Sequence, residues 1–126
     1  LGHICFYFFK ENSAFTGDTL FSLGCGRIFE GTHSQMFDSL MRLKMLPKKT
    51  KIFCGHEYTK KNSEFCVAYD KNNKKLKAKI NDIEIKLKKG LFTIPSTIQD
   101  ELDCNIFFRS NNLEAFSKLR DLKDNF

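Results

Sequence analysis

Apolar residues fall along this chain in two rhythms, and the change comes near residue 60. Ile4 to Phe9 is a short, unbroken apolar run rich in aromatics, closed by Lys10-Glu11-Asn12-Ser13. A run of that length before turn formers predicts a buried strand and then a turn. A second strand is expected to reach Phe15 or Thr16, and a third to cover Lys51 to Cys54. Gly24-Cys25-Gly26 reads as a loop. Between the second and third strands, Thr32 opens a predicted helix, with Gln35 as the partner in a capping box. Met36, Phe37, Leu40 and Met41 then share one face, and Pro47 lies beyond the helix end.

Past Thr59 the helical period takes over. Leu76, Ile80, Ile83 and Leu87 recur at helical spacing with lysines between them. Ile83 to Leu87 also alternates like a strand, but the longer period favours helix, and Gly90 ends it. Pro95-Ser96-Thr97 starts another helix, with Thr97 and Asp100 in capping positions. A last helix covers about Asn112 to Lys123. The chain therefore divides at residue 60 into a strand-rich part, 1–59, and a helical part, 60–126.

Composition narrows this picture only slightly. A length of 126 residues allows one ordinary domain or two small ones, and 41% apolar residues suffice for a core with fourteen Phe and no Trp. The formal charge of +6 permits an anionic partner without choosing one. The lysine-rich stretch Lys71 to Lys89 reads as the wet face of an amphipathic helix. Five Cys with no C-x-x-C pair exclude a zinc ribbon and a disulfide framework, and favour buried free thiols in a reducing compartment. None of the five sits in a nucleophile's setting. No apolar run approaches the ~20 residues of a membrane span.

Candidate chemistry gathers where strands end. Asp18 lies in Thr16-Gly17-Asp18-Thr19-Leu20-Phe21, His56 in Gly55-His56-Glu57-Tyr58-Thr59, and His3 near the start of the chain. Imidazole and carboxylate both suit zinc, and an Asp beside a glycine turn is placed to bridge two ions. The competing reading makes Asp18 a turn cap and His56 a core histidine. His33, beside Thr32, is expected to be exposed at a helix start.

The flanking strings GHICFYF, FTGDTLFSLGCGRIFEGT, IFCGHEYT, TIPSTIQDELDCNIFFR and LRDLKDNF resemble glyoxalase II, the hydroxyacylglutathione hydrolase family of the metallo-β-lactamase superfamily. The matches keep the family's order and cover nearly the whole chain. The resemblance implies an α+β fold: the C-terminal half of a metallo-β-lactamase-like αββα sandwich over 1–59, then a small helical glutathione-binding domain over 60–126. It implies hydrolysis of S-D-lactoylglutathione to D-lactate and glutathione by a hydroxide held between two divalent metals, zinc with iron or manganese as alternatives. By motif, His3 and His56 become metal ligands and Asp18 the bridging carboxylate. Arg27, Phe29 and Tyr58 face the tripeptide. Arg27 and Phe29 stand where the family usually has Lys and Tyr, so one hydrogen bond is lost at Phe29. Arg120 and Lys123, one helical turn apart, match the pair that holds the glycine carboxylate of glutathione.

The family's T-H-x-H-x-D-H metal loop is absent from this sequence, and the chain opens on Leu1 rather than Met. The expectation is a C-terminal fragment with metal bound weakly or not at all, no thioesterase activity alone, and an exposed sheet covered by self-association. Other readings are an iron persulfide dioxygenase of the same superfamily and a basic nucleic-acid-binding module. The latter rests on charge alone. A cytoplasmic location is expected, with an organelle as the alternative. No membrane or nucleic-acid partner is expected.

Overall fold

A computed structural model describes residues 5–27 and 32–126. His3 and Phe29 lie outside the described residues. Strands β1 (Phe6–Phe8), β2 (Ser13–Gly17), β5 (Lys51–Cys54) and β6 (Ser96–Thr97) form one sheet in the order β1-β2-β5-β6. β2 and β5 are parallel, and the outer pairings are antiparallel. Strands β3 (Leu20–Phe21) and β4 (Gly24–Cys25) make a separate hairpin. The helices are α1 (His33–Lys44), α2 (Thr59–Tyr69), α3 (Lys74–Lys88), α4 (Ile98–Cys104) and α5 (Leu113–Asp124). The mixture of helix and strand agrees with the α+β expectation.

Local sequence explains most of these elements. Thr32 and Gln35 form the full capping box at α1, satisfying two backbone N–H groups that a helix start leaves open. Such a cap contributes about 1 kcal/mol. Asn73, Thr97 and Asn112 cap α3, α4 and α5 by accepting from the N–H three residues on. The period read in α3 holds at Leu76 and Ile83, which are buried, while Leu87 is exposed; Lys77 faces water, and Lys79 is turned inward to pair with Asp100. Among the described residues, no helix is long and apolar enough to cross a membrane.

One face of the sheet is covered. Ala14 and Ile52 pack there with Leu40 and Leu43 of α1, Ile98 of α4, Phe107 and Phe108 of the turn after α4, and Phe116 of α5. A second cluster joins Leu23 to Cys66, Leu76, Ile83 and Cys104. Among the described residues, the other face leaves its aromatic side chains exposed. Phe6 pairs with Phe15 in register, Phe8 meets Phe15 edge-on at 5.7 Å, and Phe15 stacks on Phe53 at 5.1 Å.

Four expectations need correction. The first strand is not buried: Phe6 is 57% and Phe9 68% exposed, and Phe9–Glu11 forms a 3-10 turn. An apolar run shows that a strand wants a cover but not that the cover is present. Gly24-Cys25 is strand rather than loop, because the turn is made one step earlier at Ser22-Leu23. Ser96–Thr97, read as the start of a helix, extends the sheet before α4 begins at Ile98, and two residues are too few to show a strand period. His33 is half-buried rather than exposed, edge-on to Phe116 at 6.2 Å with Nε2 3.9 Å from Asp121 Oδ1.

Candidate metal and thiol-ester site

Parallel pairing puts the carboxyl ends of β2 and β5 side by side, where α/β sheets commonly hold ligands. Asp18 follows β2 and His56 follows β5. Gly17 makes the turn in the left-handed region, at φ 51°. Gly55 allows the close approach. Its N–H donates to Gly17 O at 2.8 Å, and a Cβ there would lie 2.8 Å from Asp18 Oδ1. The result is His56 Nε2 at 3.4 Å from Asp18 Oδ1, both side chains about half exposed.

That spacing suits two ligands of one ion, since tetrahedral bonds of ~2.1 Å place neighbouring donors ~3.4 Å apart. It suits an ion pair equally well. Among the described residues, no group of three or more His, Cys, Asp or Glu gathers for a metal.

Aromatic rings wall the pair. Tyr58 stacks on His56 with centroids 4.9 Å apart and planes 10° apart. Phe21, at the start of the hairpin, lies edge-on to Tyr58 at 5.2 Å and tilted at 6.2 Å from His56. Glu57, between His56 and Tyr58, accepts from Thr93 N at 2.8 Å and from the Thr93 hydroxyl, tying this loop to the segment before Pro95.

A second cluster stands at the other end of the hairpin. Arg120 is buried, at 4% exposure. Its Nη1 donates to Cys25 O at 2.9 Å and Gly26 O at 3.3 Å, Nη2 donates to Asp124 at 2.8 Å, and its guanidinium lies 5.2 Å from the Phe107 ring centroid. Arg27 is exposed, with Nε 3.7 Å from Asp124 Oδ1. Lys123 lies over the Phe65 ring at 5.9 Å. Partial burial, and then the neighbouring Arg120 charge, lower its ammonium pKa. Arg27 and Arg120, far apart in sequence, thus meet at Asp124, with Lys123 on the same helix as Arg120.

The thiols are mostly inert. Burial pushes Cys25 up to about 11 and Cys66 and Cys104 up to about 12. Cys5 is exposed and Cys54 partly buried, so the expectation of buried thiols holds for three of five. The residue that sequence reasoning missed is Glu101. Its carboxyl is fully buried, and desolvation raises it to about 7 against the hydrogen bonds that favour the charge. Lys79 of α3, Cys66 of α2, Cys104 of α4 and Cys54 of β5 are its titratable neighbours. The signal was present: Glu101 shares a helical face with Ile98 and Asn105, both buried.

The family model described as "Hydroxyacylglutathione hydrolase C-terminus" matches residues 57–126. The hydroxyacylglutathione hydrolase of Pelagibacter ubique is 71% identical over 126 residues, all of this chain and 53% of the relative. That of Prochlorococcus marinus strain MIT 9301 is 49% identical over 123 residues, 97% of this chain and 50% of the relative. The crystal structure of ETHE1 from Myxococcus xanthus covers 88% of this chain and 36% of that one, with TM-score 0.56 and 25% identity. The chain spans about half the length of the curated relatives it matches. With the family's C-terminal model over more than half its length, and a relative 71% identical over all of this chain, the chain belongs to the hydroxyacylglutathione hydrolase family.

Proposed function

We propose that this chain supplies part of a site that hydrolyses glutathione thioesters, S-D-lactoylglutathione to D-lactate and glutathione, in a longer protein that contains it. The observation that carries the reading is the convergence of Asp18 and His56 beside Tyr58, with cations at the other end of the same hairpin. Asp18, His56 and His3 would hold divalent metal, zinc with iron or manganese as alternatives. When bound, the metal supplies Lewis acidity and water activation. Tyr58 stacks to fix the His56 ring. Arg27 and Lys123 offer charge to the glutathione carboxylates, and Arg120 holds the Cys25–Gly26 backbone from which Arg27 projects. The leaving thiolate, with a pKa of ~8.5 judged by free Cys, departs with little need of a general acid.

The test uses a protein joining this chain to an upstream H-x-H-x-D-H segment, followed by loss of thioester absorbance. Asp18→Asn and His56→Ala should each lower kcat/KM by more than about a hundredfold, exceeding what outer-shell partners of a metal cost. The 126-residue chain alone should show no hydrolysis. Full activity in both variants, or rapid turnover by the chain alone, would overturn the reading.

We infer also that the bare aromatic face is covered in solution by a second copy of the chain. Phe6, Phe8 and Phe15 are 57, 48 and 45% exposed on one sheet, an apolar surface that water disfavours. Light scattering should report a mass that rises with concentration, and a constant monomer mass at high concentration would refute it.

A further inference from the structure

The hairpin from Phe21 to Gly26 runs between the two clusters, and side chains from the helices hold its backbone. Asn105 Nδ2 donates to Phe21 O at 3.4 Å and Gly24 O at 3.0 Å, and Asn62 Nδ2 donates to Ser22 O at 3.2 Å. Arg120 takes the carbonyls of Cys25 and Gly26. Glu101 is the hub. Its Oε1 accepts from Leu23 N at 2.8 Å and from Asn105 Nδ2 at 2.9 Å, while Oε2 accepts from Ser96 Oγ at 2.8 Å. Leu23 sits at φ 62°, a left-handed conformation that a residue with a side chain adopts only when its surroundings enforce it.

A carboxylate at 0% exposure is a poor choice for stability alone. Its geometry supplies the alternative reason. One oxygen holds the strained Leu23 and, at the same time, aims the Asn105 amide at Phe21 O. The Phe21 ring then lies against Tyr58 and 6.2 Å from His56. We propose that Glu101 is a positioning residue: through Leu23 and Asn105 it sets the hairpin so that the Phe21 ring braces Tyr58 and His56 beside Asp18. The inference rests on the reading that these residues form the working site, but its test reads contacts and not turnover. Lack of hydrolysis in a longer protein would leave its result standing.

The experiment is proton NMR of the 126-residue chain. Glu101→Ala should lose the ring contacts of Phe21 with Tyr58 and His56 and speed amide exchange at Leu23 by at least about tenfold, as expected when a buried N–H loses its acceptor. Glu101→Gln, which can still accept from Leu23 and Asn105, should restore both. Ser96→Ala removes a bond to the same carboxylate that does not reach the hairpin, and it should leave the ring contacts in place. A folded Glu101→Ala with intact ring contacts overturns the proposal, as does Ser96→Ala disturbing them equally. Should Glu101→Ala yield no folded protein, Glu101→Asp draws the charge back by one methylene and supplies the readout. Faster exchange at Leu23 with α3 amides unchanged supports the proposal, and unchanged Leu23 exchange overturns it.

Discussion

Glu101→Gln should make the chain more stable than the parent at pH 8, by about 3 kcal/mol, with the gain vanishing by pH 4. Desolvation raises the Glu101 carboxyl from 4.5 to about 7. Between those values the folded chain holds a proton that the unfolded chain has released. Parent stability therefore falls as pH rises through this window and levels off above it. Gln carries no charge to bury and can keep the bonds to Leu23 and Asn105, with its amide nitrogen turned to the Ser96 hydroxyl. Urea unfolding at the two pH values reads the difference directly. Equal midpoints at pH 8 would show that the ionised carboxylate is accommodated without penalty.

Arg120→Met and Lys123→Met should separate two cations that look equivalent in sequence. The Arg120 variant should lose about 3 kcal/mol, because Cys25 O and Gly26 O lose the guanidinium that donates to them in a buried setting and Asp124 keeps only the more distant Arg27. Lys123 is partly buried with its ammonium 5.9 Å from the Phe65 ring centroid and no buried acceptor depending on it among the described residues, so the Met variant should cost less than about 1 kcal/mol. In the longer protein Lys123→Met should raise KM by removing a charge offered to glutathione, whereas Arg120→Met should lower the urea midpoint. Equal stability losses would show that burial does not distinguish them.

What could be read from the sequence was what depends on near neighbours. Thr32 and Gln35 announce their helix because a capping box is closed within one turn. Leu76 and Ile83 announce theirs because periodicity is a local property. Asp18 and His56 were legible through their glycine-flanked motifs, and the parallel pairing of β2 and β5 is what makes them neighbours. Glu101 was passed over although it shares a helical face with Ile98, since a carboxylate in the first turn of a helix ordinarily faces water beside the helix dipole. Arg120 was legible as a cation at a helix end but not as one turned inward, because its acceptors are carbonyls 94 and 95 residues away. The bare face of Phe6, Phe8 and Phe15 was misread because an apolar pattern records what a strand prefers, whether or not anything covers it.

The anchoring of the hairpin also fixes an order of events. Its bonds to Glu101, Asn105 and Arg120 span 78 to 95 residues. Loops of that length must close before those bonds exist, and closure is what slows chains rich in distant contacts. During synthesis residues 21–26 emerge before Glu101, Asn105 and Arg120, and their backbone groups stay unmatched by these partners until α5 is made. The segment between Asp18 and Arg27 thus takes its long-range anchors from residues translated after it.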